Sequence, residues 1–202
     1  MLDKKEIIKL YKINESQEAA LISYIKILEE YNKHTNLVGK STLINPWTSH
    51  ILDSLQLHTY IKNKELSILD MGTGAGIPGV VLSIIGYTDT TLVDSNGKKI
   101  KFLKFLKKSM NLNIKIYLRR LENLNNLKFD VITSRALTNL NQLISDSQKF
   151  LKKNSVVIFL KGKTVNDEIH EAKKNWKFQT NKHQSLSDNR GCVLEVKNIK
   201  KA

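Results

Sequence analysis

Two acids stand at the ends of short apolar runs, Asp70 after Ser67-Ile68-Leu69 and Asp94 after Thr90-Thr91-Leu92-Val93, with Gly72, Gly74, Gly76 and Gly79 between them. A strand, a glycine loop and a helix opening near Pro78 make a site for a nucleotide-bearing cofactor. Glycines at alternate positions permit positive φ and let a ligand approach the backbone, while proline suits a first helical turn because its missing N–H would be unpaired there. Asp94 falls about 20 residues beyond the first glycine, the place of the ribose-binding acid in a Rossmann-like βαβ unit. Glycine-rich turns also serve as plain tight connections, and polar residues commonly end strands. The strand before, the helix after and the second acid favour the cofactor. Its charge follows from Asp70: a carboxylate two residues ahead of Gly72 repels the pyrophosphate of a dinucleotide and suits a cationic cofactor carrying an amino acid, as S-adenosylmethionine does.

A parallel sheet is what brings such residues to one edge, and the chain alternates accordingly. Strands are predicted near Ser67 to Asp70, Thr90 to Asp94, Asn113 to Leu118, Asp130 to Thr133 and Ser155 to Leu160. Helices fit between them at Gly79 to Ile85, Lys98 to Met110, Leu137 to Leu151 and Thr164 to Lys174. Trp176 to His183 and Cys192 to Val196 read as a closing strand pair joined by residues 185–191. Ahead of the sheet lie helices near Lys4 to Ile13 and Glu15 to Lys33, a polar turn at His34-Thr35-Asn36, and a helical stretch through Trp47 to Leu57. The expected architecture is α/β, a Rossmann-like sheet (residues 63–202) with helices on both faces and an N-terminal helical extension (residues 1–62).

Among the 202 residues, 33 lysines and arginines face 19 acids, a formal charge of +14. No acid stands between Asp94 and Glu122, whereas nine basic residues do. On a helix from Lys98, Lys101, Lys104, Lys107 and Lys108 gather on one arc opposite Phe102, Leu103, Leu106 and Met110. A lysine face is often only a solvated surface, but the imbalance favours a polyanionic partner. The single cysteine, Cys192, permits no internal disulfide, and the five histidines show no paired metal-ligand spacing. No apolar run approaches a membrane span and the N-terminus does not open a signal peptide, which predicts a cytoplasmic protein with no metal.

The pattern Asp70-x-Gly72-x-Gly74-x-Gly76 followed by Asp94 resembles motif I and the ribose acid of class I S-adenosylmethionine-dependent methyltransferases. Over nearly its whole length the chain resembles the RsmG (GidB) family of small-subunit ribosomal RNA guanine-N7 methyltransferases. The likeness is carried by Tyr31 to Leu37, His50-Ile51-Leu52-Asp53-Ser54-Leu55, Asp70 to Gly79, Asp94 to Lys99, Thr133-Ser134-Arg135-Ala136 and Lys161-Gly162. Two places depart from the family pattern: Arg119 stands where a glycine is usual, and Lys152 to Ser155 replace a Pro-Gly-Gly turn.

This resemblance implies a methyltransferase acting on N7 of a guanosine in 16S ribosomal RNA or the small ribosomal subunit, a monomer using S-adenosylmethionine. It implies that Gly72, Thr73 and Ile77 line the cofactor pocket with Asp70, Gly74, Gly76 and Asp94, that Leu121 and Glu122 flank the adenine, and that Arg135 reaches cofactor or target base as the catalytic residue. Arg135 also fits an ordinary salt-bridge partner. Asn36, His50, Asp53, Ser54 and Lys161 are the implied substrate contacts, to which the lysine arc adds Lys101 and Lys104, although His50, Asp53 and Ser54 suit capping or packing of the N-terminal helices equally, and Lys161 suits a solvated lysine. The chemistry matches what the sequence lacks. Guanine N7 carries a free lone pair, so in-line attack on a sulfonium methyl needs positioning and no general base. Carbon methylation of cytosine would need a cysteine nucleophile, and Cys192 lies in the wrong segment. Two other classes fit fewer features: an NAD-dependent oxidoreductase, against which Asp70 speaks, and a non-catalytic RNA-binding protein, supported only by charge.

Overall fold

In the computed structural model, which describes residues 2–202, the alternating half forms β1 (Ile68–Met71), β2 (Thr90–Asp94), β3 (Ile114–Leu118), β4 (Phe129–Arg135), β5 (Leu151–Lys161), β6 (Trp176–Gln184) and β7 (Cys192–Lys201). They make one sheet of order β3-β2-β1-β4-β5-β7-β6, with β1 to β5 parallel and β7 antiparallel to both its neighbours. The chain reverses its winding direction between β1 and β4, which opens a crevice at their carboxyl ends. Asp70, Asp94 and Arg135 all sit on that edge.

Both faces of the central strands are apolar because helices cover both. α1 (Lys4–Tyr11), α2 (Glu15–Thr35), α4 (Gly79–Ile84) and α5 (Gly97–Ser109) cover one face, where Ile7, Leu21, Leu28, Val80 and Leu103 are buried with Leu92 and Val131. α6 (Leu140–Ser147) and α7 (Val165–Ala172) cover the other, where Leu143, Ile144 and Ala172 meet Leu69, Ile132 and Phe159. The N-terminal helices thus share a core with the sheet. Their starts are local chemistry: Asp3 with Glu6, and Asn14 with Gln17, form reciprocal capping boxes.

Three segments differ from the sequence expectation, one being β5, which begins at Leu151, so that Lys152 to Ser155 lie in the strand and not in a turn before it. The helix expected through Trp47 to Leu57 is a π-helical turn (Trp47–Leu52), a single turn α3 (Asp53–Leu55) and a 3-10 turn (Gln56–Tyr60). Ser54 Oγ donates back to the His50 carbonyl at 2.7 Å inside this wide turn. Similarly, the helix expected from Leu137 begins only at Leu140, capped by the Asn139 side chain on the Gln142 N–H. Ala136 takes a left-handed φ of 50° and stops β4 from running directly into a helix.

Gly79 opens α4 where a Cβ would lie 2.2 Å from Leu92 Cδ2 and 2.9 Å from Asp70 Oδ2. Gly79→Ala should therefore destabilise the protein by about 1–3 kcal/mol through overpacking. Gly97→Ala, with nothing within 4 Å of its Cβ, should be neutral or slightly stabilising. Urea unfolding of the two variants checks the contrast, and equal midpoints would contradict the packing account.

Candidate active site

The turn from β1 into α4 is held by its own acid. Asp70 is fully buried, and its Oδ2 accepts hydrogen bonds from Thr73 Oγ1 (2.5 Å) and the Gly79 N–H (2.9 Å). Gly72, Gly74 and Gly76 take φ of 64°, 59° and 89°, conformations that a side chain would strain. From α2, the Tyr24 hydroxyl donates to the Ala75 carbonyl at 3.1 Å, and from β4 Ser134 Oγ donates to the Met71 carbonyl at 2.8 Å. Burial pushes the Asp70 carboxyl up to about 7, against the Thr73 and Gly79 hydrogen bonds and the nearby Arg135 charge. Asp70 is thus a support beneath the loop, fully buried and lining neither hollow at this edge, whereas Thr73 both bonds to it and lines the loop's hollow.

At the β2 tip, Asp94 turns one oxygen to the Gly74 N–H (2.9 Å) and the other to the Asn96 N–H (2.8 Å), with Lys99 Nζ at 3.8 Å. It borders two adjoining hollows. One, of 330 Å³, is walled by Gly72, Leu121, Glu122 and Leu137. Its neighbour, of 460 Å³, is walled by the glycine loop, Ile77, Lys99, Arg135 and residues 37–39 of the N-terminal extension. The pair fits S-adenosylmethionine: Asp94 lies beside Gly72, Val93, Leu121 and Leu137 supply apolar contacts in an otherwise polar hollow, and a Cβ on Gly74 would meet nothing nearer than Lys99 Nζ at 3.8 Å. Arg119 has no left-handed φ, so it replaces the usual glycine without backbone strain while lining the first hollow.

A third cavity, 1190 Å³, continues the second hollow and shares Thr42, Arg135 and Ala136 with it. Arg135 reaches across the seam to the N-terminal extension: NH1 donates to the Ser49 carbonyl (2.8 Å) and Asp53 Oδ2 (2.9 Å), and NH2 lies 3.2 Å from His50 Nδ1. His50 and Ser54 are fully buried, which corrects their assignment to the substrate. His50 bonds the extension to the sheet through Arg135, and Ser54 bonds back to the His50 carbonyl within the extension. Desolvation, with the Arg135 charge, lowers the His50 imidazole to about 4, so at neutral pH it is uncharged and Nδ1 accepts from the guanidinium. Ser49 and Asp53 are the partners that lie on the cavity wall. Asn36 ends α2 in a left-handed conformation and lies beside the hollow without lining it.

Lys161, at the β5 tip, is bonded to Glu168 Oε2 at 2.5 Å and to the Thr138 carbonyl at 3.1 Å, with its side chain only 8% exposed. Glu168 in turn caps the Leu140 N–H. Lys161 therefore braces the loop between β4 and α6 while also lining the 1190 Å³ cavity, so it is neither a solvated lysine nor an unpaired one. Lys101, Lys104, Lys107 and Lys108 are exposed on α5, but Lys107 Nζ is committed to the Ile114 carbonyl at 2.6 Å. Sequence reasoning missed Tyr24, Leu137 and the 185–191 loop of the large cavity. Tyr24 lay on the apolar stripe of α2, where nothing distinguished it from packing.

The buried pair gives pH dependences of opposite sign. Asp70, raised from about 4 in the unfolded chain to about 7, contributes stability that is present below about 4 and lost as pH rises through about 7. His50, lowered to about 4, contributes stability present above about 6.5 and lost as pH falls through about 4. Relative to Asp70→Asn, the wild type should weaken between pH 4.5 and 8. Relative to His50→Asn, it should strengthen between pH 4 and 7. Unfolding midpoints across this range check both slopes.

With this geometry in place, comparison with known proteins is specific. The family model for rRNA small subunit methyltransferase G (GidB) matches residues 17–193. The ribosomal RNA small subunit methyltransferase G of Rickettsia prowazekii (strain Madrid E) is 39% identical over 175 residues, covering 87% of this chain and 91% of the relative. That of Rhodospirillum rubrum is 37% identical over 182 residues, covering 90% of each. In fold, the chain resembles the crystal structure of the ribosomal protein L11 methylase from Lactobacillus delbrueckii subsp. bulgaricus, with a TM-score of 0.59, 20% identity and coverage of 72% and 76% of the two chains. The family match over residues 17–193 and relatives of this identity and coverage show that the chain belongs to the rRNA small subunit methyltransferase G family, methyltransferases that take S-adenosylmethionine.

Proposed function

We propose that the protein transfers a methyl group from S-adenosylmethionine to N7 of a guanosine in the 16S RNA of the small ribosomal subunit. The observation that carries this reading is the seam at Arg135 and Ala136, where the cofactor hollows open into one larger cavity. Bound there, S-adenosylmethionine would supply an electrophilic methyl on a sulfonium. Asp94 would take its ribose hydroxyls, Leu121 and Glu122 would flank the adenine, and the backbone of Gly72 to Gly76 with Ile77 would hold the remainder.

What the chain must do is positional. Guanine N7 already presents a lone pair, so no side chain has to remove a proton from it. Arg135, placed at the seam and still partly exposed, is the group available to orient the base, and a guanidinium is suited to the guanine O6 beside N7. It keeps its place because Ser49, His50 and Asp53 hold it from behind. For the RNA backbone we assign Lys101, Lys104 and Lys108 on α5, which are exposed.

Transfer of labelled methyl groups to 16S RNA or small subunits, followed by nucleoside analysis, tests the reading; label recovered elsewhere than in 7-methylguanosine would overturn it. Asp94→Ala should weaken cofactor binding by about 1–3 kcal/mol with a smaller change of turnover at saturating cofactor. Calorimetry and steady-state kinetics separate the two quantities. Changing Lys101, Lys104 and Lys108 together to glutamine should weaken RNA binding and flatten log affinity against log salt by about 2 units, taking the single-strand coefficient. An unaltered slope would move the RNA path off this helix.

A further inference from the structure

The 1190 Å³ cavity is lined by the loop joining β6 to β7, residues 185–191, which no sequence feature marked as part of a site. This loop is built against the seam. Asp53 accepts from Arg135 with Oδ2 (2.9 Å) and from Ser187 Oγ with Oδ1 (2.6 Å), while Gln56 Oε1 accepts from the Leu186 N–H (3.0 Å). The same carboxylate that seats Arg135 thus pins Ser187, and Asp188 follows it in the chain. Asp188 is half-exposed on the cavity wall; its Oδ1 accepts from the Arg190 N–H (2.9 Å) and Nε (3.3 Å), and its Oδ2 has only a long contact, 3.4 Å, to Arg190 NH2. Hydrogen bonds from the Arg190 backbone and side chain hold this carboxyl below its ordinary range, so it is ionised at neutral pH.

A carboxylate facing a cavity used by RNA repels phosphate and accepts from N–H donors. Guanine presents two such donors together, N1–H and the exocyclic amine, on the edge away from N7. Paired RNA hides N7 in a deep, narrow groove, so a base that reacts there has to leave its stack, and 1190 Å³ is ample for one nucleotide. Resting on the proposed function above, we propose that the cavity receives the target guanosine turned out of its RNA, with Asp188 gripping N1–H and the exocyclic amine so that N7 faces the seam at Arg135. Asp188 is then the residue that distinguishes guanine from purines lacking the amine.

The test uses small-subunit RNA transcribed with a fraction of its guanosines replaced by inosine, which lacks that amine, and assembled with its ribosomal proteins. Mass spectrometry reads 7-methylinosine against 7-methylguanosine, normalised to the input. The wild type should disfavour inosine about tenfold, and Asp188→Asn should lower total methylation while bringing the normalised ratio towards one, with cofactor affinity by calorimetry unchanged. A merely structural loop would lose methylation at a constant ratio, and that result overturns the proposal. So does a wild type that methylates inosine and guanosine equally, whatever the variant does. A wild type that methylates no RNA at all would instead fail the proposed function itself.

Discussion

The guanidinium of Arg135 is the interaction on which the site depends. It emerges from the end of β4 and is held by a backbone carbonyl, a carboxylate and a neutral imidazole, all from one wide helical turn of the N-terminal extension. The pair with Asp53 is largely shielded, with side chains 22% and 16% exposed, and removing one partner of such a pair costs several kcal/mol because the other charge is stranded. His50 serves the arrangement by being uncharged: a second cation at that position would repel Arg135 at close range. Its low protonation point is therefore a consequence of the same geometry that makes it useful.

Through this contact the extension becomes part of the cleft. Residues 37–39, Ser41, Thr42, Ser49 and Asp53 line the hollows on one side, and the sheet edge lines them on the other. Asp53 extends the tie to the β6–β7 loop, so one carboxylate joins three segments distant in sequence. Lys161 and Glu168 perform the parallel task on the opposite face, fixing the loop that carries Ala136 and Leu137. These polar contacts contribute to position more than to stability, since each replaces hydrogen bonds that water would have made.

The glycine loop shows the cost of such precision. Its turn is closed by a carboxylate with no solvent exposure, one oxygen of which has no partner in the structure, and burial raises Asp70 accordingly. Two donors to the other oxygen, and the Arg135 charge, offset part of that penalty. Leu137 lies against the face of Gly72, where a Cβ would displace its half-exposed side chain, but it is the positive φ that requires the glycine.

The sequence by itself determined the order of elements, the sheet's membership, the glycine loop with its two acids, and the family likeness, because strand alternation, capping residues and turn glycines act over a few neighbouring positions. It also placed Arg135 at the carboxyl edge, since the end of β4 could be read from Asp130 to Thr133. What Arg135, His50, Ser54 and Lys161 touch was decided only by tertiary structure. Each is a polar residue equally suited to a ligand or to a buried partner, and the partners lie on other segments: Asp53 on the extension for Arg135, Glu168 on α7 for Lys161. The same reason hid the 185–191 loop. Its polar composition read as a plain connection, and only the packing of β7 between β5 and β6 carries it to the edge where Asp53 can reach Ser187.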